Sequence, residues 1–113
     1  MPTSTIPSPN DELRAISAPI HESFRALREA VRTSGPIDEA TRELILIGAL
    51  ATAGEEAAVK LHAERALGMG MAKEALVQSV LLTFGITTTL LGTTRAVGWI
   101  EETAAGLARQ RAR

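Results

Sequence analysis

The chain has 113 residues, 12 Lys and Arg against 13 Asp and Glu, a formal net charge of −1 and no cysteine. That length fits one domain, the balanced charge gives no global positive field for nucleic acid or an anionic membrane, and the missing thiols exclude disulfides, thiolate metal sites and any cysteine nucleophile. Hydrophobic residues make up 45% of the chain but aromatics only 3%, so the core must be built from Ala, Leu, Ile and Val, which suits closely packed helices better than sheets.

Residues 1–9 hold three prolines and read as a flexible arm ahead of a single domain over residues 10–113. They lack the basic and apolar regions of a signal peptide, and the longest apolar run, residues 44–51, is far too short to span a bilayer; a cytoplasmic protein without membrane or nucleic-acid partners is expected. Asn10 is read as the cap of a short helix ending near Ser17. Pro19 then fits the first turn of a second helix, in which Ile20, Phe24, Leu27 and Val31 form one apolar face while His21, Arg25, Arg28 and Arg32 share a polar one, making His21 a surface residue. Ser34, Gly35 and Pro36 end it.

Asp38 caps a third helix running to about Ala53 and closed by Gly54; its centre, apolar all round, predicts a central, buried helix. A fourth helix runs from Glu55 to about Gly68, with Gly70 as a left-handed cap. The fifth spans roughly residues 72–84, with Leu76, Val77, Val80, Leu81 and Phe84 as core, and Gly85 marks a break or a close helix contact. In the last helix, to about Arg109, the residues Leu90, Thr93, Val97, Ile100, Ala104 and Leu107 form a seam against another helix, inside the domain or between subunits. Arg109, Arg111 and Arg113 read as a solvated tail suited to a helix C-terminus. The expectation is an all-α domain of five or six helices, small enough for oligomerisation to add stability.

Three ionisable residues stand out. Glu43 shares a face with Leu46, Ile47 and Leu50, where a carboxylate either reaches solvent or a salt bridge from the helix start or must be paired, solvated by internal water or protonated. His62 follows Glu55 by two helical turns, so both project to one side with Ala58, Val59 and Ala66, about 10 Å apart along the axis. They are too far apart to bond directly but are placed to flank a small ligand over Ala58. A histidine on such a face is either a packed, hydrogen-bonded residue or a proton carrier near neutrality. Thr87, Thr88 and Thr89 either line a pocket near the Gly85 break or cap the last helix. Glu56 looks solvent-facing, and Trp99 is a core or interface anchor. Two histidines support a metal site weakly, and no nucleotide-binding or nucleophile-elbow motif is present.

The run Gly35-Pro36-Ile37-Asp38-Glu39-Ala40-Thr41-Arg42-Glu43-Leu44-Ile45 resembles the entry to the central helix in the carboxymuconolactone decarboxylase and alkyl hydroperoxidase D-like family. His62, Ala66-Leu67, Gly70, Glu74 and Gly85 follow in that family's order and spacing, and the resemblance covers roughly residues 17–102. It implies an oligomeric helical bundle of the alkyl hydroperoxidase D-like type, as a trimer or a hexamer of paired trimers. It also implies that Glu43 and His62 belong to one proton-relay site. The two cysteines of the peroxidase branch fall on Glu55 and Ala58, so thiol peroxidase chemistry is not expected.

The decarboxylase branch works without those cysteines. The resemblance therefore implies a cofactor-independent acid–base enzyme, a lyase such as a decarboxylase or an isomerase, acting on a small carboxylated or carbonyl-containing metabolite of the carboxymuconolactone type. In that reading Glu43, His62 and Glu55 are catalytic, with His62 as proton donor and Glu43 setting its protonation state, while Ala58, Thr87 and Thr88 line the substrate. The chain departs from decarboxylases at Leu90-Leu91, where they commonly carry polar residues. The alternative is a non-catalytic oligomeric binding or structural protein that keeps the fold.

Overall fold

A computed structural model of the chain describes residues 8–112. Among these residues there are six helices and no strand: α1 (Pro9–Ile16), α2 (Ala18–Arg32), α3 (Glu39–Ala53), α4 (Glu56–Gly68), α5 (Lys73–Leu81) and α6 (Leu90–Arg111). Residues 1–7 of the expected arm, and Arg113, lie outside the described residues. The chain divides into two compact units, one ending at Pro36 and the other beginning at Ile37.

In the first unit α1 packs against α2. Ser8, not Asn10, caps α1, its hydroxyl accepting from the Asp11 N–H, so Pro9 opens the helix where its missing donor costs nothing. Ser17 serves both helices: its N–H donates to the Leu13 carbonyl and its hydroxyl accepts from the Ile20 N–H. His21 is buried, 4% exposed, rather than on the surface. Helical periodicity puts it on the arginine face, but it sits in the first turn after the Ser17 corner, where burial depends on how the chain turns and not on face. The apolar stripe Ile20, Phe24, Leu27 and Val31 is present and is 42–59% exposed.

In the second unit α3 packs on α4 and α5, and α6 packs on α4, α5 and α3. The core takes Ile47 and Ala51 from α3, Val59, Ala63 and Ala66 from α4, Leu76 and Val80 from α5, and Ala96 and Ile100 from α6. Trp99 packs against this core from its edge. Alanines at the α4 positions let the helices approach closely, and a fully buried Ile47 contributes about 2 kcal/mol by transfer from water.

Two expectations about burial need correction. Helix α3 is central but not buried all round, since Ile45 is 54% exposed; α4, α5 and α6 pack on it and leave the Ile45 side open. Helix α5 stops at Leu81 instead of Phe84, and Leu81 and Phe84 are both exposed. Turns begin at Leu82 and run to Thr87, and among them is Gly85, whose φ of 81° is one that a side chain rarely tolerates. With no atom within 4 Å of a Cβ built there, Gly85 marks a break and not a close helix contact. Of the α6 seam, Thr93 and Ile100 are buried while Leu90 is 66% exposed.

Candidate active site

Asp38 starts α3 by accepting from the Thr41 N–H at 2.7 Å, and Gly54 stops it with a φ of 74°. This fixes Glu43 in the second turn, on the flank of α3 that faces α4. On α4, the core residues Val59, Ala63 and Ala66 set the register, which turns Glu55, Ala58, His62 and Arg65 to one side of that buried line. The two helices meet at Glu43 and His62. His62 Nδ1 lies 2.7 Å from Glu43 Oε2, with the side chains 18% and 11% exposed. A carboxylate this buried needs a partner, and the imidazole is that partner.

With Nδ1 engaged, Nε2 is the ring nitrogen left without a hydrogen-bond partner among the described residues. Unlike His21 Nε2 and Thr93 Oγ1, it is not sealed from solvent. A neutral ring held by a carboxylate at Nδ1 presents a lone pair there; a charged one presents a proton.

The other expected residues are placed differently. Glu55 is the N-cap residue of α4; it is exposed and makes no side-chain cap bond, two turns or about 10 Å along the axis from His62. Ala58 lies between them, half-buried. Thr87 and Thr88 do not join the Glu43–His62 pair. They gather with Thr52 and Thr83 near the C-terminal end of α3, nine residues and about 13 Å beyond Glu43. There Thr88 donates to Thr83 at 2.6 Å and Thr83 donates to the Val80 carbonyl. Thr52 donates to the Gly48 carbonyl at 3.1 Å, and its oxygen lies 3.1 Å from the hydroxyls of both Thr87 and Thr88. This hydroxyl cluster ties the α5–α6 connection to α3. Thr89 caps α6 by accepting from the Gly92 N–H.

Spacing along the sequence does not reveal Thr52 or Thr83 as members of that cluster, because the contact is made by an irregular connection. The helical register does reveal Arg65, one turn past His62. A cavity of about 290 Å³ lies on the opposite flank of α3, between Leu44, Ile45, Gly48, Gln78, Ser79 and Leu82. Glu56 is exposed and holds Lys60 at 2.8 Å, and Lys60 also reaches Glu102 of α6 at 2.9 Å. Both contacts hold the Lys60 ammonium above its ordinary range, Glu56 more strongly. Among the described residues no three His, Cys, Asp or Glu side chains converge as a metal site requires, and no helix is long and apolar enough to cross a membrane.

Fold and site together define a small, all-helical, thiol-free domain with a carboxylate–imidazole pair across two packed helices. The model of the carboxymuconolactone decarboxylase family matches residues 18–108, and the chain belongs to that family as a cysteine-free member. Comparison with curated proteins and with solved structures returned no match.

Proposed function

We propose that the protein is an acid–base enzyme, a decarboxylase-like lyase or an isomerase, acting on a small carboxylated or carbonyl-containing metabolite such as a carboxymuconolactone-like lactone. The observation that carries this reading is the 2.7 Å contact between His62 Nδ1 and Glu43 Oε2, with Nε2 left open. Glu43 holds the ring in one orientation and balances the charge of an imidazolium. Nε2 takes a proton from, or gives one to, a carbon next to a carbonyl. In a decarboxylation the C–C bond electrons pass into the adjoining carbonyl system as CO2 leaves, and the protonated ring supplies the proton to that carbon. Exposed Glu55 lies at the far end of the same helix face, where its charge disfavours a second anion.

The reading includes a homo-oligomer, a trimer or a hexamer, assembled in the cytoplasm. Support comes from Leu81, Leu82, Phe84, Ile86, Leu90 and Leu91, which are 47–82% exposed. Residues 75–94 also contain no charged side chain, a composition typical of the core of a permanent interface.

Turnover of carboxylated lactones and their isomers by the purified protein is the test, with His62→Gln and Glu43→Gln beside it. Each substitution is expected to lower turnover by about 10²–10⁴-fold, the usual contribution of a positioned acid or base, with helix content unchanged. Undiminished turnover in both variants would remove the pair from the chemistry and favour a binding or structural role.

A further inference from the structure

Arg65 lies one turn beyond His62 on α4, three residues on, where helical neighbours stand about 5–6 Å apart at Cβ. It is exposed, and no carboxylate comes within ion-pair distance of it among the described residues. The other cation in the body of α4, Lys60, is held by two glutamates. The α4 register puts Arg65 on the same side of the helix as His62, and Glu55 at the opposite end of that side. The strip therefore runs from anion to small residue to imidazole to cation, over Glu55, Ala58, His62 and Arg65, and Arg65 is its one cation without a carboxylate partner among the described residues.

We infer that Arg65 is the carboxylate-binding residue of this site: it holds a substrate carboxylate while a neighbouring carbon rests at His62 Nε2. The inference rests on the acid–base reading above and adds a specificity element to it. A planar guanidinium grips a carboxylate through two parallel N–H···O bonds, which fixes orientation as well as position. The carboxylate held there is not one that departs. Pairing a leaving carboxylate with a cation stabilises the ground state, in which it is charged, more than the transition state, in which that charge moves into the carbon skeleton. The substrate class is then a small acid whose Arg65-bound carboxylate survives the reaction and whose reacting carbon is within reach of His62 Nε2.

The two histidines make this directly readable by NMR. His62 reports the site, and buried His21, at 4% exposure, serves as an internal reference. Succinate, added at constant ionic strength, is expected to shift the His62 ring signals saturably while His21 stays still, and uncharged succinamide is expected to shift neither. Arg65→Gln should weaken the succinate response by about tenfold or more, the loss of a charge-assisted bidentate pair, with circular dichroism and the Nδ1-bonded His62 signature retained. Equal succinate affinity in wild type and Arg65→Gln overturns the role of Arg65, as does the absence of any saturable shift. Turnover separates this from the parent reading: activity lost in His62→Gln yet unchanged in Arg65→Gln removes Arg65 and leaves the Glu43–His62 pair standing.

Discussion

With Nδ1 at 2.7 Å from a carboxylate oxygen, which can only accept when ionised, the neutral His62 ring carries its proton on Nδ1 and leaves Nε2 bare. Glu43→Gln changes that logic. A glutamine amide both donates and accepts, so its NH2 group can feed Nδ1 and move the ring proton to Nε2. Long-range 1H–15N spectra are expected to show the Nδ1-protonated tautomer for neutral His62 in the wild type and a mixed or inverted pattern in Glu43→Gln. The same pattern in both would mean that Glu43 does not set the tautomer. Neither residue announces the other in the sequence, because they are nineteen positions apart on separate helices. Periodicity shows a carboxylate on an apolar face and a histidine on another; only the family resemblance joins them. The threonine cluster is illegible for a different reason, since Thr87 and Thr88 reach Thr52 through a turn that no repeat describes.

Helices are the most legible level, because their signals are local. Asp38 acts through its side-chain cap and Gly54 and Gly85 through their own backbone geometry, and all three stand where they are expected, whereas the early end of α5 is not legible because nothing local marks Leu82 as a turn. Two glycines show how packing decides what local propensity cannot. Gly98, within α6, has nothing within 4 Å of the position a Cβ would take, so Gly98→Ala should stabilise by about 0.5–1 kcal/mol through helix propensity alone. A Cβ on Gly48 would meet the Ser79 carbonyl oxygen at 3.1 Å and a Thr83 methyl at 3.5 Å. That carbonyl belongs to the backbone of α5 and cannot swing aside, so Gly48→Ala should cost about 1 kcal/mol net, overpacking outweighing propensity. Urea unfolding checks both signs. The cap of α3 adds a pH dependence. Hydrogen bonds from Thr41, the backbone N–H first, hold the Asp38 carboxyl below its ordinary 3.8. Its contribution is therefore complete above that ordinary value and disappears as pH falls through the lower folded value. The acid limb of stability below about pH 4 should be shallower in Asp38→Asn, which caps without titrating.

At the scale of the molecule, the exposed apolar side chains around the α5–α6 connection have no explanation in the packing of α3–α6. These exposed apolar side chains fit the proposed assembly surface, and the uncharged run over residues 75–94 removes the electrostatic repulsion that keeps surfaces apart. Leu82, 67% exposed, is removed from the buried core. Leu82→Glu is expected to leave helix content intact while shifting sedimentation from an assembly toward the 12.0 kDa chain. Identical sedimentation of variant and wild type would place the contact elsewhere. Composition foretells helices and small size, and size alone makes assembly plausible, but which surface stays uncovered is a property of the packed bundle. Residues such as Leu81 and Phe84 look like core in the sequence because an apolar side chain reads the same whether the packed bundle covers it or leaves it exposed.

The tether on His62 also has a stereochemical consequence. A ring held at Nδ1 cannot turn over to offer its other nitrogen, so a proton delivered from Nε2 must be replaced at Nε2, from the same side. Under the proposed acid–base reading such a site has one door for hydrogen. In a decarboxylation the hydrogen placed on carbon would then come from solvent by way of Nε2 and arrive on a single face, so that a prochiral intermediate would leave as one mirror form.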